Sequence, residues 1–148
     1  MAQFKTSLVI HRPIETVFNF VSNYQNSPQW VSGTMKHQKI TPGPIGVGTV
    51  IHTTGHAAGL RVEATRIVIA YEPPVKYSFK SDYRRVPFTT TFFFEPMQSG
   101  TRLTVMVEGE PAGLFKAATP LILGMLRQQV ESDLRRLKSV LEEQSQEK

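Results

Sequence analysis

The stretch Phe4-Lys5-Thr6-Ser7-Leu8-Val9-Ile10-His11-Arg12-Pro13-Ile14-Glu15-Thr16-Val17-Phe18 contains the change of rhythm that decides how this 148-residue chain folds. Up to Ile10 the pattern has the period of two of a strand, with Phe4, Thr6, Leu8 and Ile10 on one face and Lys5, Ser7 and Val9 on the other. Beyond Pro13 it takes a helical period. Ile14, Val17, Phe18 and Val21 recur at i, i+3, i+4 and i+7, and Glu15, Asn19 and Ser22 turn outward. Pro13 is where the change happens because its missing N–H costs nothing in a first helical turn and its fixed φ suits one. Glu15 complements the positive helix end. The spacing predicts a strand near residues 4–11 and a helix over about 13–22.

Outward from this junction, Asn23 to Pro28 interrupts the helix, and Trp30 falls in a second short helical turn. From Gly33 to Gly109 the punctuation is that of a meander. Thr41-Pro42-Gly43-Pro44-Ile45-Gly46, Ala58-Gly59, Glu72-Pro73-Pro74, Arg85-Val86-Pro87 and Gln98-Ser99-Gly100 read as turns between six strands. Val75, Tyr77 and Phe79 alternate with Lys76, Ser78 and Lys80, and Leu103, Val105 and Val107 with Arg102, Thr104 and Met106, so each strand has an apolar and a wetter face. Phe88, Thr90, Phe92 and Phe94 form one face of another strand, opposite Thr89, Thr91 and Phe93. Residues 112–145 return to helical spacing, with Leu114, Ala118, Leu121, Ile122, Met125, Val130, Leu134, Leu137 and Leu141 in phase. Pro120 should kink or restart that helix near residue 119. Its first half carries almost no charge and is expected to be covered on most sides, and its second half on one. The order is β-α-α-β6-α, an α+β fold of seven strands and a long C-terminal helix in a single domain over 1–148, with 142–148 a frayed tail.

At this length a single core suffices, since such a chain buries roughly 70% of its unfolded surface. The chain has no cysteine, which excludes disulfides, thiolate metal sites and cysteine nucleophiles. No leader pattern or run of about 20 apolar residues occurs, so a cytoplasmic location without stable membrane insertion is expected. The formal charge of +5 is uneven, with ten Lys/Arg against four Asp/Glu in residues 1–86 and seven against eight thereafter. Lys76, Lys80, Arg84 and Arg85 are too spread to form a nucleic-acid groove, so no nucleic-acid partner is expected. As a strand, residues 49–56 would hold His52 and His56 roughly 13 Å apart, too far to share one metal, so no metal site and no cofactor is expected.

Several phrases, in this order, carry a resemblance: Ile10-His11-Arg12-Pro13-Ile14-Glu15-Thr16-Val17-Phe18, Asn26-Ser27-Pro28-Gln29-Trp30, Gly46-Val47-Gly48-Thr49, Tyr71-Glu72-Pro73-Pro74 and Gly100-Thr101-Arg102-Leu103-Thr104. Over nearly its whole length the chain resembles the START-like (SRPBCC) superfamily with the helix-grip fold, in particular its bacterial polyketide cyclase/dehydrase and lipid-transport-like branch. The resemblance implies a curved antiparallel sheet wrapped around the last helix, with an apolar cavity between them. Members of that superfamily include ligand carriers, aromatase/cyclases, lipid-transfer domains and co-chaperones, so fold alone does not fix function.

In such a fold the lining comes from inward strand positions and the neutral part of the helix. Alternation nominates Tyr77, Phe79, Thr90, Phe92 and Phe94, with Phe115, Leu121 and Met125 from the helix and Trp30 near the mouth. Acid–base chemistry in a dry pocket calls for a His, Glu, Asp or Tyr of shifted pKa. His52, Glu63, Tyr77 and Tyr83 are eligible on the sheet, with Arg61 placed to steady an enolate. No nucleophile elbow or phosphate-cradling loop is present. Three functions stay open: binding of a lipid, polyketide or aromatic metabolite, a cyclase/dehydratase activity, or a protein- or membrane-surface interaction, by a monomer or homodimer.

Overall fold

The computed structural model describes residues 2–31, 34–57, 60–83, 86–109 and 119–146. Strand β1 (Ala2–Ile10) leads through Pro13 into helix α1 (Ile14–Ser22) and a 3-10 turn (Tyr24–Gln29). Strands β2 (Thr34–Lys39), β3 (Val50–Ala57), β4 (Leu60–Glu72), β5 (Lys76–Tyr83), β6 (Val86–Met97) and β7 (Gly100–Gly109) follow, then helix α2 (Thr119–Gln146). All seven strands form one curved antiparallel sheet in the order β1-β7-β6-β5-β4-β3-β2. Five consecutive hairpin pairings build β2 to β7, and β1 closes the far edge against β7, where Phe4 pairs with Val107 and Leu8 with Leu103.

Helix α1 forms where the Pro13 switch puts it, and Val17, Phe18 and Val21 are buried against the sheet. Ser22, expected to turn outward, is buried too, because the 3-10 turn folds over the helix end and Asn23 caps that turn through Gln25 N.

One sheet face, the inner one, meets α2 through Leu134, Leu137 and Leu141, three positions of one helical stripe that are 3%, 0% and 0% exposed. Complete burial of a leucine contributes about 1.5–3 kcal/mol, so this stripe sets where the helix docks. Polar contacts fix its direction. Lys138 Nζ donates to Val9 O at 2.7 Å and to Glu142 Oε2 at 2.7 Å, and Glu142 Oε2 also accepts from His11 N at 2.9 Å. Arg12 Nη1 donates to Leu141 O at 2.5 Å. Glu142, expected to open a frayed tail, is therefore held, and the helix runs to Gln146.

The expected helical stretch over residues 112–118 lies outside the described residues, and α2 is described from Thr119 with Pro120 in its first turn, in line with a restart near residue 119. One other expectation for this helix needs correction. Leu121 and Met125 are 70% and 65% exposed, so the neutral half is not enclosed among the described residues. The physical reason is that the helix is anchored at its charged half, where the leucine stripe and the Lys138–Glu142 contacts reach β1.

Candidate functional site

Strand register arranges the inner face in rows of neighbours. Tyr71, Tyr77, Phe92, Val105 and Thr6 stand side by side, and the next row runs Val68, Phe79, Thr90, Val107 and Phe4. A further row is Ile51, Arg66, Ser81, Phe88 and Gly109. The aromatic positions are continuous across β4, β5 and β6 because tyrosine and phenylalanine alternate in phase on adjacent strands.

Phe92 is the centre of the resulting aromatic wall. Its ring stacks on Tyr77 at 6.0 Å between centroids and lies 6.2 Å from Phe79 and 6.5 Å from Phe94. Trp30 approaches it edge-on at 6.4 Å, and Phe18 of α1 meets Phe94 at 5.1 Å. These offset and edge-to-face geometries are those that the aromatic quadrupole favours. Trp30, Tyr77, Phe79, Phe92 and Phe94 are all buried, and Thr90 lies between Phe79 and Val107 on the same face.

Polar groups are embedded in this apolar surface. The Arg66 guanidinium lies 4.5 Å from the Phe79 ring centroid, a cation–π contact. Among the described residues no carboxylate pairs with it. Burial lowers its pKa, and the neighbouring Tyr77 acts in the opposite direction. Burial raises the Tyr77 phenol above its ordinary value, an effect that the Arg66 charge partly offsets, so the phenol stays protonated at neutral pH. His37 of β2 bonds Thr53 Oγ1 through Nδ1 at 2.9 Å, and burial with the nearby Arg66 charge lowers its pKa to about 4. Neutral imidazole is then the working form. Its Nε2 and the indole Nε1 of Trp30 are buried without a hydrogen-bond partner among the described residues. Buried polar atoms without partners are rare and costly, which marks them as groups awaiting one.

The sequence-derived candidates divide by face. Tyr77 stands in the aromatic wall, but His52 and Arg61 occupy the opposite face. His52 pairs with Gln38 and Thr65, both one residue out of phase with the inner row, and its Nε2 lies 3.9 Å from Glu63 Oε1. Arg61 is largely exposed and bridges Glu63 at 3.2 Å. The structure therefore does not bring His52, Arg61 and Glu63 together with Tyr77. Leu121 and Met125 face solvent, Phe115 lies outside the described residues, and so does the side chain of Tyr83.

Arg66 was missed for a reason that lies in the backbone. The register of β4 slips between Val68 and Ala70, so the alternation reverses there. Counted back from Tyr71 without the slip, Arg61 and Glu63 would face inward. With it, Arg66 and Val68 do, and Ile67 and Ile69 are left 45% and 46% exposed. The one available signal was a pair of isoleucines too many for one face in Arg66-Ile67-Val68-Ile69-Ala70.

Comparison with known proteins agrees with this geometry at the level of the fold. An aromatase/cyclase from Streptomyces sp. R1128 superposes with a TM-score of 0.75 at 13% identity, covering 95% of this chain and 93% of that one. The di-domain ARO/CYC BexL from the BE-7585A biosynthetic pathway gives 0.81 at 18% identity, over 96% of this chain and 47% of the other. A protein from Thermus thermophilus gives 0.76 at 17% identity over 93% and 95%. Among curated protein sequences none matches the chain. The family model described as polyketide cyclase / dehydrase and lipid transport matches residues 1–142, and the chain belongs to that family.

Proposed function

We propose that the chain binds a small, largely aromatic or polyketide-like molecule against the inner sheet face, with an oxygen of that molecule directed at Arg66. The observation that carries this reading is the Arg66 guanidinium, held against Phe79 with no carboxylate partner among the described residues. Arg66 is only half-buried, so water reaches it in part, and an oxygen of a bound ligand would supply the counterpart that its dehydrated side lacks. Trp30 Nε1 and His37 Nε2 add two unmatched polar atoms, and the rings of Tyr77, Phe79 and Phe92, covered in this structure, suit a planar ring system once the side chains over them move aside.

A second reading is favoured by the placing of Arg66 and Tyr77 on the two sides of Phe79, whose ring lies 4.5 Å from the guanidinium and 5.8 Å from the Tyr77 ring. A cation near a protonated phenol can stabilise an enolate oxygen and deliver a proton to a neighbouring oxygen. These are two of the needs of an aldol cyclisation followed by loss of water, the third being a base that takes the α-proton to form the enolate.

The test uses the chain's one tryptophan. Its indole N–H gives one signal in a proton–nitrogen correlation spectrum, and titration with 1-naphthol is expected to shift that signal together with a saturable calorimetric heat. Absence of both at millimolar 1-naphthol would refute the binding reading. Conversion of a linear poly-β-ketone that is lost in Tyr77→Phe with binding intact would select the enzymatic one.

A further inference from the structure

Beside Tyr71 lies a separate pocket of about 350 Å3, open to solvent, between the end of α1, the 3-10 turn, the end of β2 and the loop after it. Asn19, Asn23, Tyr24, Gln25, Lys39 and Tyr71 line it, and no Asp or Glu does. Its only charge among the described lining residues is the Lys39 ammonium. Lys39 pairs with Ile51 and so projects from the same sheet face as His37, and among the described residues it has no carboxylate partner. The Asn23 carbonyl oxygen is already taken by Gln25 N, which leaves the Asn23 amide as a donor. The lining therefore offers a cation and several N–H and O–H donors without a competing anion, the arrangement that suits a carboxylate.

Two of its lining residues contact residues of the aromatic site. The Tyr71 ring lies 6.2 Å from Tyr77, and the Tyr24 ring lies 6.4 Å from His37. A ligand stacked on the wall thus has this cavity one ring away.

We propose that this cavity is a second subsite, which takes a carboxylate-bearing tail of the ligand and holds it on Lys39. The proposal rests on the reading that the inner face binds an aromatic molecule. A ligand with both parts would place its ring system beside Phe92 and Tyr77 and its carboxylate beside Tyr71, so selectivity for acids over neutral analogues resides in Lys39.

The experiment compares three probes by calorimetry: 1-naphthol, 1-naphthyloxyacetic acid and the matching amide, 1-naphthyloxyacetamide. The intact chain is expected to bind the acid about tenfold more tightly than the amide, the size of one charge-assisted hydrogen bond. Lys39→Gln is expected to bring that ratio to about one, and Lys39→Arg to keep most of it. An acid-to-amide ratio near one in the unmodified protein, or a ratio that survives Lys39→Gln, overturns the subsite. If 1-naphthol binds and the ratio fails, only the subsite falls. If 1-naphthol does not bind, the aromatic reading falls and takes the subsite with it.

Discussion

Replacing Arg66 by methionine separates the two effects that this residue has on the protein. In the structure the guanidinium gains a cation–π contact with Phe79 at 4.5 Å, which contributes about 0.5–2 kcal/mol. Against this stands the partial loss of hydration of a half-buried charge that has no carboxylate partner among the described residues, a cost of similar size because water still reaches the group. Methionine keeps an unbranched apolar stem beside Phe79 and Ile51 and can contact the aromatic ring through sulfur. Removing the charge is therefore expected to change the stability of the fold by no more than about 1 kcal/mol in either direction. The effect on an oxygenated ligand is larger. Loss of a charge-assisted hydrogen bond worth about 1.5–3 kcal/mol weakens 1-naphthol binding roughly ten- to hundredfold. Urea unfolding followed by Trp30 emission reads the first quantity, and calorimetric titration of the folded variant reads the second. Arg66→Lys keeps the charge but not the planar stacking surface, so it should recover only part of the affinity. A variant whose unfolding midpoint falls while its affinity for 1-naphthol is unchanged would refute the reasoning, because Arg66 would then be a structural residue.

Two further outcomes follow from the geometry. The pKa of His37 falls from 6.5 to about 4 on folding, so the unfolded chain binds more protons between those values; stability contributed by the neutral ring is full above pH 6.5 and is lost as pH falls toward 4. In His37→Leu, urea midpoints measured between pH 7 and pH 4 should fall less steeply than in the unmodified protein, and parallel profiles would contradict this. Gly100 has φ +152, and a β-carbon there would sit 2.2 Å from Ile10 O, a backbone atom that cannot swing aside. Gly100→Ala should therefore cost about 2 kcal/mol or more in urea unfolding, and a neutral result would show that the β1 and β7 ends separate easily.

Element order was legible in the chain because it depends on local period and punctuation. Pro13 divides strand from helix, the Pro and Gly clusters separate the strands, and Leu134, Leu137 and Leu141 sit at helical spacing. Alternation likewise puts Tyr77, Phe79, Thr90, Phe92 and Phe94 on one face, as found, since β5 and β6 pair without a slip.

Two features lay beyond the sequence. The bulge between Val68 and Ala70 is set by how β4 pairs with β5, so whether Arg61 or Arg66 turns inward depends on a partner strand that a one-dimensional pattern does not contain. The Lys39 pocket joins the end of α1, the 3-10 turn that follows it and the end of β2 to Tyr71, which comes only at the end of β4. The sequence by itself determined which segments are strands and helices and, on β1, β5, β6 and β7, which face is apolar, because those follow from residue spacing along one element. Only the tertiary structure decided which cation meets the aromatic wall, because a one-residue change in register moves every following side chain of a strand to the other face.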